Sequence, residues 1–391
     1  MNERLANELL KLLDPERLAA FESNPVAYMN DLELSAADKK AILTRKRAVI
    51  KYQAHFGGLT NQQIDEISIE SPDVEHAHVE IGPEHEYGAT DEEGPGGLFM
   101  TTSGMREFGP STNHIGSDGL IAGNIDCSDK KANSLVIVGT GIKASHLTDE
   151  ASRYLRMADV VLYCVADPAT EVAIRRLNDN VDNLYRFYGD GKLRGITYNE
   201  MAETIMEELR AGKRVGAAFY GHAGFLVKPA HLAIRQARRE GYEAWMCPGP
   251  SCVDCLIADL GIDLSWDGCQ IYEATHFMVR NKCPDTTAGL ILLQIGCVGD
   301  SSFSFKGFDG RHYPRLLNRL IEFYPAEHYV VLYEASQFSI CAPRVDVVKL
   351  SDLHSVKING ITTMYVPPIN VAPLNEELLN IFVASQNAND G

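Results

Sequence analysis

The stretch SLVIVGTGI, residues 134–142, decides the fold. Its run of leucine, valine and isoleucine is typical of a strand buried on both faces, as in a parallel sheet. Gly139 and Gly141 follow the run at once, where glycines let the chain turn sharply and approach a ligand closely. The spacing Gly139-x-Gly141-x-x-Ala144 fits the loose form of a dinucleotide-binding fingerprint. A nicotinamide-dependent oxidoreductase is therefore one open interpretation, with Asp167 as the acidic residue that would hold a ribose.

Strand and helix patterns alternate from this stretch to residue 370. Further strands are predicted at 159–165, 214–220, 290–294 and 329–333, and helices at 149–157, 198–211 and 229–240. This order predicts an α/β fold with a largely parallel sheet and helices on its faces. Ligands of such sheets bind beyond the carboxyl ends of the strands, so the turns that follow the strands are the expected site.

The first 56 residues have a helical pattern. Leucines at helical spacing form one apolar face, namely Leu5, Leu9, Leu12 and Leu13. Pro15 predicts the first turn of a second helix, since proline is tolerated there, and Pro25 predicts the end of that helix. Ser35, followed by Asp38, predicts a capping box before a further helix. We therefore expect a small all-α bundle over residues 1–56.

Residues 57–133 have a different composition. No lysine or arginine occurs from 58 to 105, whereas aspartate, glutamate, glycine and proline recur. Such a stretch does not bury enough apolar surface to fold by itself, which predicts an irregular acidic segment. A plain linker would rarely be this long, so a functional role is the alternative. The histidines have no cysteines or firm scaffold near them, so no metal site is predicted at His76, His78 or His85.

Composition excludes several classes of protein. A formal net charge of −17 argues against binding to nucleic acid or to an anionic membrane surface. No apolar run is long enough to span a membrane, and the N-terminus is not a signal peptide. Nine cysteines at irregular spacing indicate free thiols in a reducing compartment, so a cytoplasmic location is expected. Cys252-x-x-Cys255 has no second pair, and neither a zinc nor a redox role is predicted for it.

Several stretches in order resemble the tetrapyrrole-methylase type of S-adenosylmethionine-dependent methyltransferase. They are LVIVGTGI (135–142), ADVVLYCVADPATE (158–171), FYGHAG (219–224), CPGPSCVDCLIADLGID (247–263), IYEATHF (271–277) and LLQIGCVG (292–299). A further stretch, LYRFYGDGKLRGITY (184–198), is similar to the pattern of the borosin group, the peptide backbone α-N-methyltransferases. The resemblance implies a methyltransferase domain over 134–391 that uses S-adenosylmethionine and releases S-adenosylhomocysteine.

The resemblance also implies site residues. Tyr188 and Arg194 match the catalytic pair of the borosin group, Tyr198 lies beside them, and Tyr220 matches another active-site tyrosine. The expected cofactor-binding residues are Gly139, Gly141, Ala166, Asp167, Pro168, His222, Ser251 and Cys252. Simpler roles stay open for two of them, because Ser251 would cap a helix and His222 would serve as an ordinary loop histidine.

The chemistry of amide methylation explains why tyrosine and arginine are suited to this site. An amide nitrogen is a poor nucleophile, because its lone pair is delocalised into the carbonyl group. A guanidinium beside the carbonyl would stabilise negative charge that develops on oxygen. A tyrosine would accept the N–H proton if the arginine lowered its pKa. We therefore expect Arg194 and a neighbouring tyrosine to act together.

The expected substrate is a peptide, either the chain's own segment 57–133 or that of a dimer partner. Within it, 96–105 and 114–123 are the favoured core, because they contain compact residues. The bundle at 1–56 resembles the borosin-binding domain of precursors, and the resemblance implies a homodimer. In fungal members the precursor follows the enzyme, whereas this chain ends soon after Pro368. Methylation of a separate precursor or of a small molecule, with residues 1–133 as a recruitment module, is the alternative.

Overall fold

The computed structural model describes residues 1–70, 133–308 and 310–387. These residues form an N-terminal helical bundle and an α/β region with two five-stranded sheets. None of the helices in the described part of the chain is long and apolar enough to cross a bilayer. The expectations for His76, His78 and His85, and for the core at 96–105 and 114–123, concern residues outside the described ranges.

The N-terminal bundle confirms the helical pattern of the first residues. Its helices are Glu3–Lys11, Pro15–Ser23, Pro25–Asn30, Ala36–Thr44, Arg47–Phe56 and Asn61–Glu70. Ser35 and Asp38 form the predicted capping box, with the Asp38 backbone N–H donating to Ser35 Oγ at 3.1 Å. Pro25 ends one helix and also begins the next, since proline suits a first turn. Helix Asn61–Glu70 lies in the segment expected to be irregular, so helical structure continues past residue 56.

The first sheet is entirely parallel, as predicted. Its strands are β1 Ser134–Gly139, β2 Val160–Cys164, β3 Val181–Asn183, β4 Val215–Phe219 and β5 Glu243–Cys247. Their order across the sheet is β3-β2-β4-β1-β5. In this register Gly139 lies opposite Phe219, and Phe219 lies opposite Cys164. The carboxyl ends of β1, β2 and β4 therefore meet at one edge.

Helices connect these parallel strands. They are Asp149–Met157, Pro168–Leu177, Arg194–Arg210 and Lys228–Arg239. The helix expected at 198–211 begins earlier, at Arg194, and ends at Arg210. Buried apolar side chains pack on both faces of the sheet, with Leu135 and Ile137 in one cluster and Val136 and Val138 in another. This burial on both faces explains the continuous apolar run of β1.

The second sheet corrects the expectation of largely parallel pairing. Its strands are β6 Cys269–Glu273, β7 Gly289–Leu293, β8 Tyr329–Glu334, β9 Arg344–Lys349 and β10 Thr363–Val366. Their order is β6-β7-β10-β8-β9, and only β6 and β7 run parallel. β8 continues into β9 without a helical crossover, so the two strands pair antiparallel. The remaining helices are Cys252–Leu260, Ala274–Val279, Tyr313–Ile321 and Glu376–Asn387.

The bundle packs directly against the α/β region. Its helix Glu3–Lys11 contacts helix Pro168–Leu177, and Ala169 belongs to the same buried cluster as Leu5 and Leu9. Phe338, from the connection between β8 and β9, completes this cluster. The bundle therefore covers the helix that begins directly after the turn expected to bind the cofactor.

Candidate active site

Three turns meet at the carboxyl edge of the first sheet, and glycines permit their close approach. The backbone N–H of Gly141 donates to Gly221 O at 3.1 Å, and that of Gly221 donates to Gly141 O at 2.9 Å. A Cβ at Gly139 would lie 2.7 Å from both Gly221 O and Gly249 N. A side chain does not fit at Gly139 without movement of backbone. The structure therefore places Gly139 and Gly141 at the expected edge.

Asp167 caps the helix that follows β2. Its carboxylate accepts hydrogen bonds from Thr170 N at 2.8 Å and from Thr170 Oγ1 at 2.6 Å. The side chain is 1% exposed, and burial raises its pKa to about 6. Ala166 and Pro168 flank it in the same turn. Since both carboxylate oxygens are used inside the protein, this geometry counts against the ribose-binding role required of an oxidoreductase.

Two other expected cofactor residues also have local roles. Ser251 caps helix Cys252–Leu260 in a capping box, where its backbone N–H donates to Asp254 Oδ2 at 2.6 Å. His222 Nδ1 accepts a hydrogen bond from Gly224 N at 3.0 Å. Cys252 is half-buried and packs in an apolar cluster. These side chains shape the turns, so contacts with a cofactor here would come chiefly from the backbone.

The segment 184–198 is hydrogen-bonded to residues 301–305, which follow β7 in the sequence. The bonds are Gly191 N to Phe303 O (2.9 Å), Phe303 N to Lys192 O (2.9 Å), Arg194 N to Ser301 O (3.0 Å) and Phe305 N to Asp190 Oδ1 (2.7 Å). Three of these bonds join backbone to backbone, in the manner of a short antiparallel pair. A glycine turn that is irregular by itself is thereby fixed in one conformation.

The structure brings Tyr188, Arg194 and Tyr198 together beside the carboxyl edge of the first sheet. The rings of Tyr188 and Tyr198 lie edge to face with centroids 6.4 Å apart, and the two phenols interact electrostatically. The Tyr188 ring also lies 4.4 Å from the ring of Phe303. Arg194 donates from Nη2 to the Asp300 carbonyl oxygen. Tyrosines and guanidinium thus form one cluster, in which both phenols are half-buried.

Burial and the charge of Arg194 shift the pKa of Tyr198 in opposite directions. Burial raises the pKa of Tyr188 well above its usual value, and burial also raises the pKa of Tyr198. Arg194 opposes this effect at Tyr198, but the loss of hydration is the larger influence. Arg194 thus acts on the pKa of Tyr198 in the expected direction, but burial keeps that pKa above its usual value. Arg194 interacts electrostatically with both phenols.

The backbone of Tyr220 lies beside the end of β2, but its side chain is outside the cluster of Tyr188, Arg194 and Tyr198. Its N–H donates to Cys164 O at 3.1 Å, at the end of β2. Its ring packs in a different cluster, with Ile142 and Phe225, whereas Tyr188 and Tyr198 pack with Cys164. The structure therefore brings three of the four expected catalytic side chains together and places the fourth on the neighbouring turn.

Sequence reasoning missed the groups that face Arg194 from the second sheet. Glu273 and Cys297 interact electrostatically with the guanidinium, and Phe308 lies under it with its ring centroid 5.6 Å from Cζ. Burial by itself would lower the pKa of Arg194, but Cys297, Tyr198 and Glu273 raise it overall. The stretches IYEATHF and LLQIGCVG contained the signal, although nothing in them assigned a role to single residues.

Comparison with known proteins identifies the family. Residues 134–338, a little more than half of the chain, match the family model of the Tetrapyrrole (Corrin/Porphyrin) Methylases, and the chain belongs to this family of methyltransferases. The resemblance found in the sequence is thereby confirmed at the level of fold and family.

Curated relatives extend the borosin resemblance. The chain is 43% identical over 243 residues to the methyltransferase/ribosomally synthesized cyclic peptide omphalotin A precursor of Omphalotus olearius, covering 61% of this chain and 58% of the relative. It is 44% identical over 248 residues to a methyltransferase/type I borosin cyclic peptide precursor of Coprinopsis marcescibilis, covering 62% and 63%. The dendrothelin A precursor of Dendrothele bispora is 41% identical over 256 residues, covering 64% and 61%. The chain thus spans about three fifths of the length of these relatives.

Proposed function

We propose that this protein methylates backbone amide nitrogens of a peptide with S-adenosylmethionine, releasing S-adenosylhomocysteine. The observation that carries the proposal is the cluster of Tyr188, Arg194 and Tyr198 beside the carboxyl edge of the first sheet. The names of the similar fungal proteins join a methyltransferase and a peptide precursor in one chain, which supports a peptide substrate. The peptide would belong to the same chain or to the second copy in a homodimer.

The residues at the sheet edge fit a cofactor of this kind. The backbone of Gly139–Gly141, Gly221 and Gly249 would hold it, because these glycine turns converge where side chains do not fit. Ala166–Pro168 and Ser251–Cys252, in the turns after β2 and β5, would complete the site. When bound, S-adenosylmethionine supplies a methyl group on a positively charged sulfur. The acidic character of the chain agrees with a cationic ligand of this type.

Arg194 would bind the carbonyl oxygen of the amide that is methylated. Its guanidinium is fixed on one side by the Asp300 carbonyl, and its remaining N–H groups are donors for a substrate oxygen. Negative charge moves onto this oxygen as the amide N–H proton leaves, so a fixed cation lowers the barrier. The half-buried site makes this interaction stronger than in water.

Tyr198 would accept the amide proton in its ionised form. The N–H bond would break and the proton would move to the phenolate oxygen. The nitrogen would bond to the methyl carbon, whose bond to sulfur would break with its electron pair left on the sulfur of S-adenosylhomocysteine. Arg194 and the neighbouring Tyr188 phenol favour the ionised form, although burial makes it a minor species in the free protein. Tyr188 would hold the Tyr198 ring in place through their edge-to-face contact.

A pair of tyrosine variants tests this assignment. Tyr198→Phe should reduce the rate of methyl transfer at least about a hundredfold, because general-base catalysis contributes that much or more. Tyr329→Phe is the control, since Tyr329 is 55% exposed on β8, in the second sheet. The measurement is methyl incorporation from radiolabelled S-adenosylmethionine, with circular dichroism as a check of folding. A folded Tyr198→Phe protein with the rate of the control would rule out Tyr198 as the base.

A further inference from the structure

A carbonyl group of the turn at Asp300 helps to fix the Arg194 guanidinium. Arg194 donates from Nη2 to Asp300 O, and its own backbone N–H donates to Ser301 O at 3.0 Å. Asp300 follows Gly299, which has a φ of 73° that side-chain-bearing residues rarely adopt. A Cβ at Gly299 would lie 2.7 Å from His312 Cδ2, so this turn is also tightly packed. The turn therefore presents the Asp300 carbonyl in one fixed direction.

Thr275 connects this turn to the second sheet. The backbone N–H of Gly299 donates to Thr275 Oγ1 at 3.1 Å, across 24 positions of sequence. Thr275 is 4% exposed and lies in the first turn of helix Ala274–Val279. The Asp300 side chain makes a local hydrogen bond within the same turn, in which Oδ1 accepts from Ser302 N at 3.2 Å. The Thr275 hydroxyl thus anchors Gly299, the residue directly before Asp300, whose carbonyl oxygen accepts from Arg194.

Glu273 fixes Thr275 in turn. Its carboxylate accepts hydrogen bonds from Thr275 N at 3.0 Å and from His276 N at 2.7 Å, and it is 8% exposed. Burial raises the pKa of Glu273, whereas the bonds from Thr275 and His276 and the charge of Arg194 lower it. A buried carboxylate requires partners of this kind. Glu273 therefore both holds the helix start and supplies a negative charge near Arg194.

We propose that Thr275 is a positioning residue for Arg194, which it directs through the Gly299–Asp300 turn toward the amide to be methylated. This inference rests on the proposed function, because the step that Arg194 would assist is amide methylation. The hydrogen bonds from Gly299 to Thr275 and from Arg194 to Asp300 do not depend on that function. A small displacement of a group that must meet the transition state costs much rate, so the hydroxyl matters although it does not touch the substrate.

The test compares two substitutions at one position. Thr275→Val removes the hydroxyl and keeps the branched shape, whereas Thr275→Ser keeps the hydroxyl. We expect Thr275→Val to methylate about ten- to a hundredfold more slowly, as misplacement of a reacting group by about an ångström would cause. Thr275→Ser should stay within about twofold of the wild type. Thr287→Val is the control, because it removes a threonine hydroxyl that bonds only within an exposed turn at Asp285.

The readout separates positioning from loss of structure. Rates come from the growth of methyl mass increments with S-adenosylmethionine, at several cofactor concentrations. Thr275→Val should lower kcat and leave the KM for S-adenosylmethionine unchanged, since the cofactor edge is built from other turns. Should Thr275→Val not fold, Thr275→Ala replaces it, because alanine removes the hydroxyl without placing a methyl group there.

Three outcomes would overturn the inference. The first is a wild-type rate in Thr275→Val, and the second is an equal loss of rate in Thr275→Ser. If the wild-type protein gains no methyl groups, the proposed methylation of its own segment is refuted instead, and the third outcome is structural. Crystal structures then decide: a guanidinium that leaves the Asp300 carbonyl in Thr275→Val supports the inference, and one that stays overturns it.

Discussion

Replacing Arg47 with methionine should loosen the N-terminal bundle from the α/β region. Arg47 lies in helix Arg47–Phe56, and its Nη2 donates to Glu334 Oε2 at 2.5 Å. Glu334 is 2% exposed and also accepts hydrogen bonds from Arg344 Nη1 at 2.8 Å and from Thr362 Oγ1 at 2.7 Å. The ion pair thus connects the bundle to a buried carboxylate at the end of β8.

The free energy lost on this substitution depends on which partners of Glu334 remain. Losing one partner of a buried ion pair costs about 3–5 kcal/mol when the other charge is left alone. Here Arg344 and Thr362 still bind Glu334, so the loss approaches that of one charged hydrogen bond, about 2 kcal/mol. That free energy corresponds to an increase of about thirtyfold in an opening equilibrium constant.

Hydrogen exchange measured by mass spectrometry can detect this change. In Arg47→Met the most protected amides of helices Glu3–Lys11 and Arg47–Phe56 should exchange about thirtyfold faster, with β1 and β4 unchanged. Arg17→Met, at an exposed position of the same bundle, is the control. Unchanged exchange in both helices would refute the idea that this ion pair holds the bundle.

The same variant has a pH dependence of known sign. Burial would raise the pKa of Glu334, but Arg47 and the other partners lower it overall. A carboxyl group with a lowered pKa stabilises the folded state above its unfolded pKa, and this stabilisation is lost as pH falls through the folded value. The loss of stability caused by Arg47→Met should therefore be largest at pH 7 and smaller near pH 4. A penalty that is equal at both values would contradict the electrostatic explanation.

Three other predictions concern the site. Gly249→Ala should weaken calorimetric binding of S-adenosylhomocysteine at least about tenfold, because its Cβ would lie 2.4 Å from Gly139 O, whereas Gly189→Ala should not. Burial raises the pKa of Asp167 to about 6 in the folded state, so this carboxyl group lowers the free energy of unfolding as pH rises from 4 to 7. In Asp167→Asn, urea unfolding should therefore show a smaller loss of stability over this pH range. The methylation rate should rise about tenfold per pH unit from pH 7 to 9 if Tyr198 must be ionised, and a flat profile would argue against this step.

Local sequence patterns predicted the elements whose signals are strong. β1 follows from its continuous apolar run, and helix Asp149–Met157 has the bounds expected from its pattern. β9 was missed because its residues, RVDVVK, include three charged side chains and lie at the edge of a sheet. The antiparallel second sheet was missed for a related reason, since pairing direction depends on connections rather than on strand composition.

The site was predictable only in part, for the same physical reason. The cluster of Tyr188, Arg194 and Tyr198 is local in sequence, so its motif could be recognised. Glu273 and Asp300, by contrast, meet Arg194 only through the fold, and the hydrogen bond from Arg194 to Asp300 joins positions 106 residues apart. The pKa of Tyr198 could not be foreseen either, because the burial that raises it arises only in the folded chain.

The most direct test of the proposed function is the mass of the protein itself. The protein is purified from its expression host and incubated with and without S-adenosylmethionine, and intact and fragment masses are then compared. We expect increments of about 14 Da, one per methyl group, located on backbone amides within 57–133 and absent from Arg194→Ala. A folded, cofactor-binding wild-type chain without any increment would contradict methylation of its own segment and would move the substrate to a separate peptide or a small molecule.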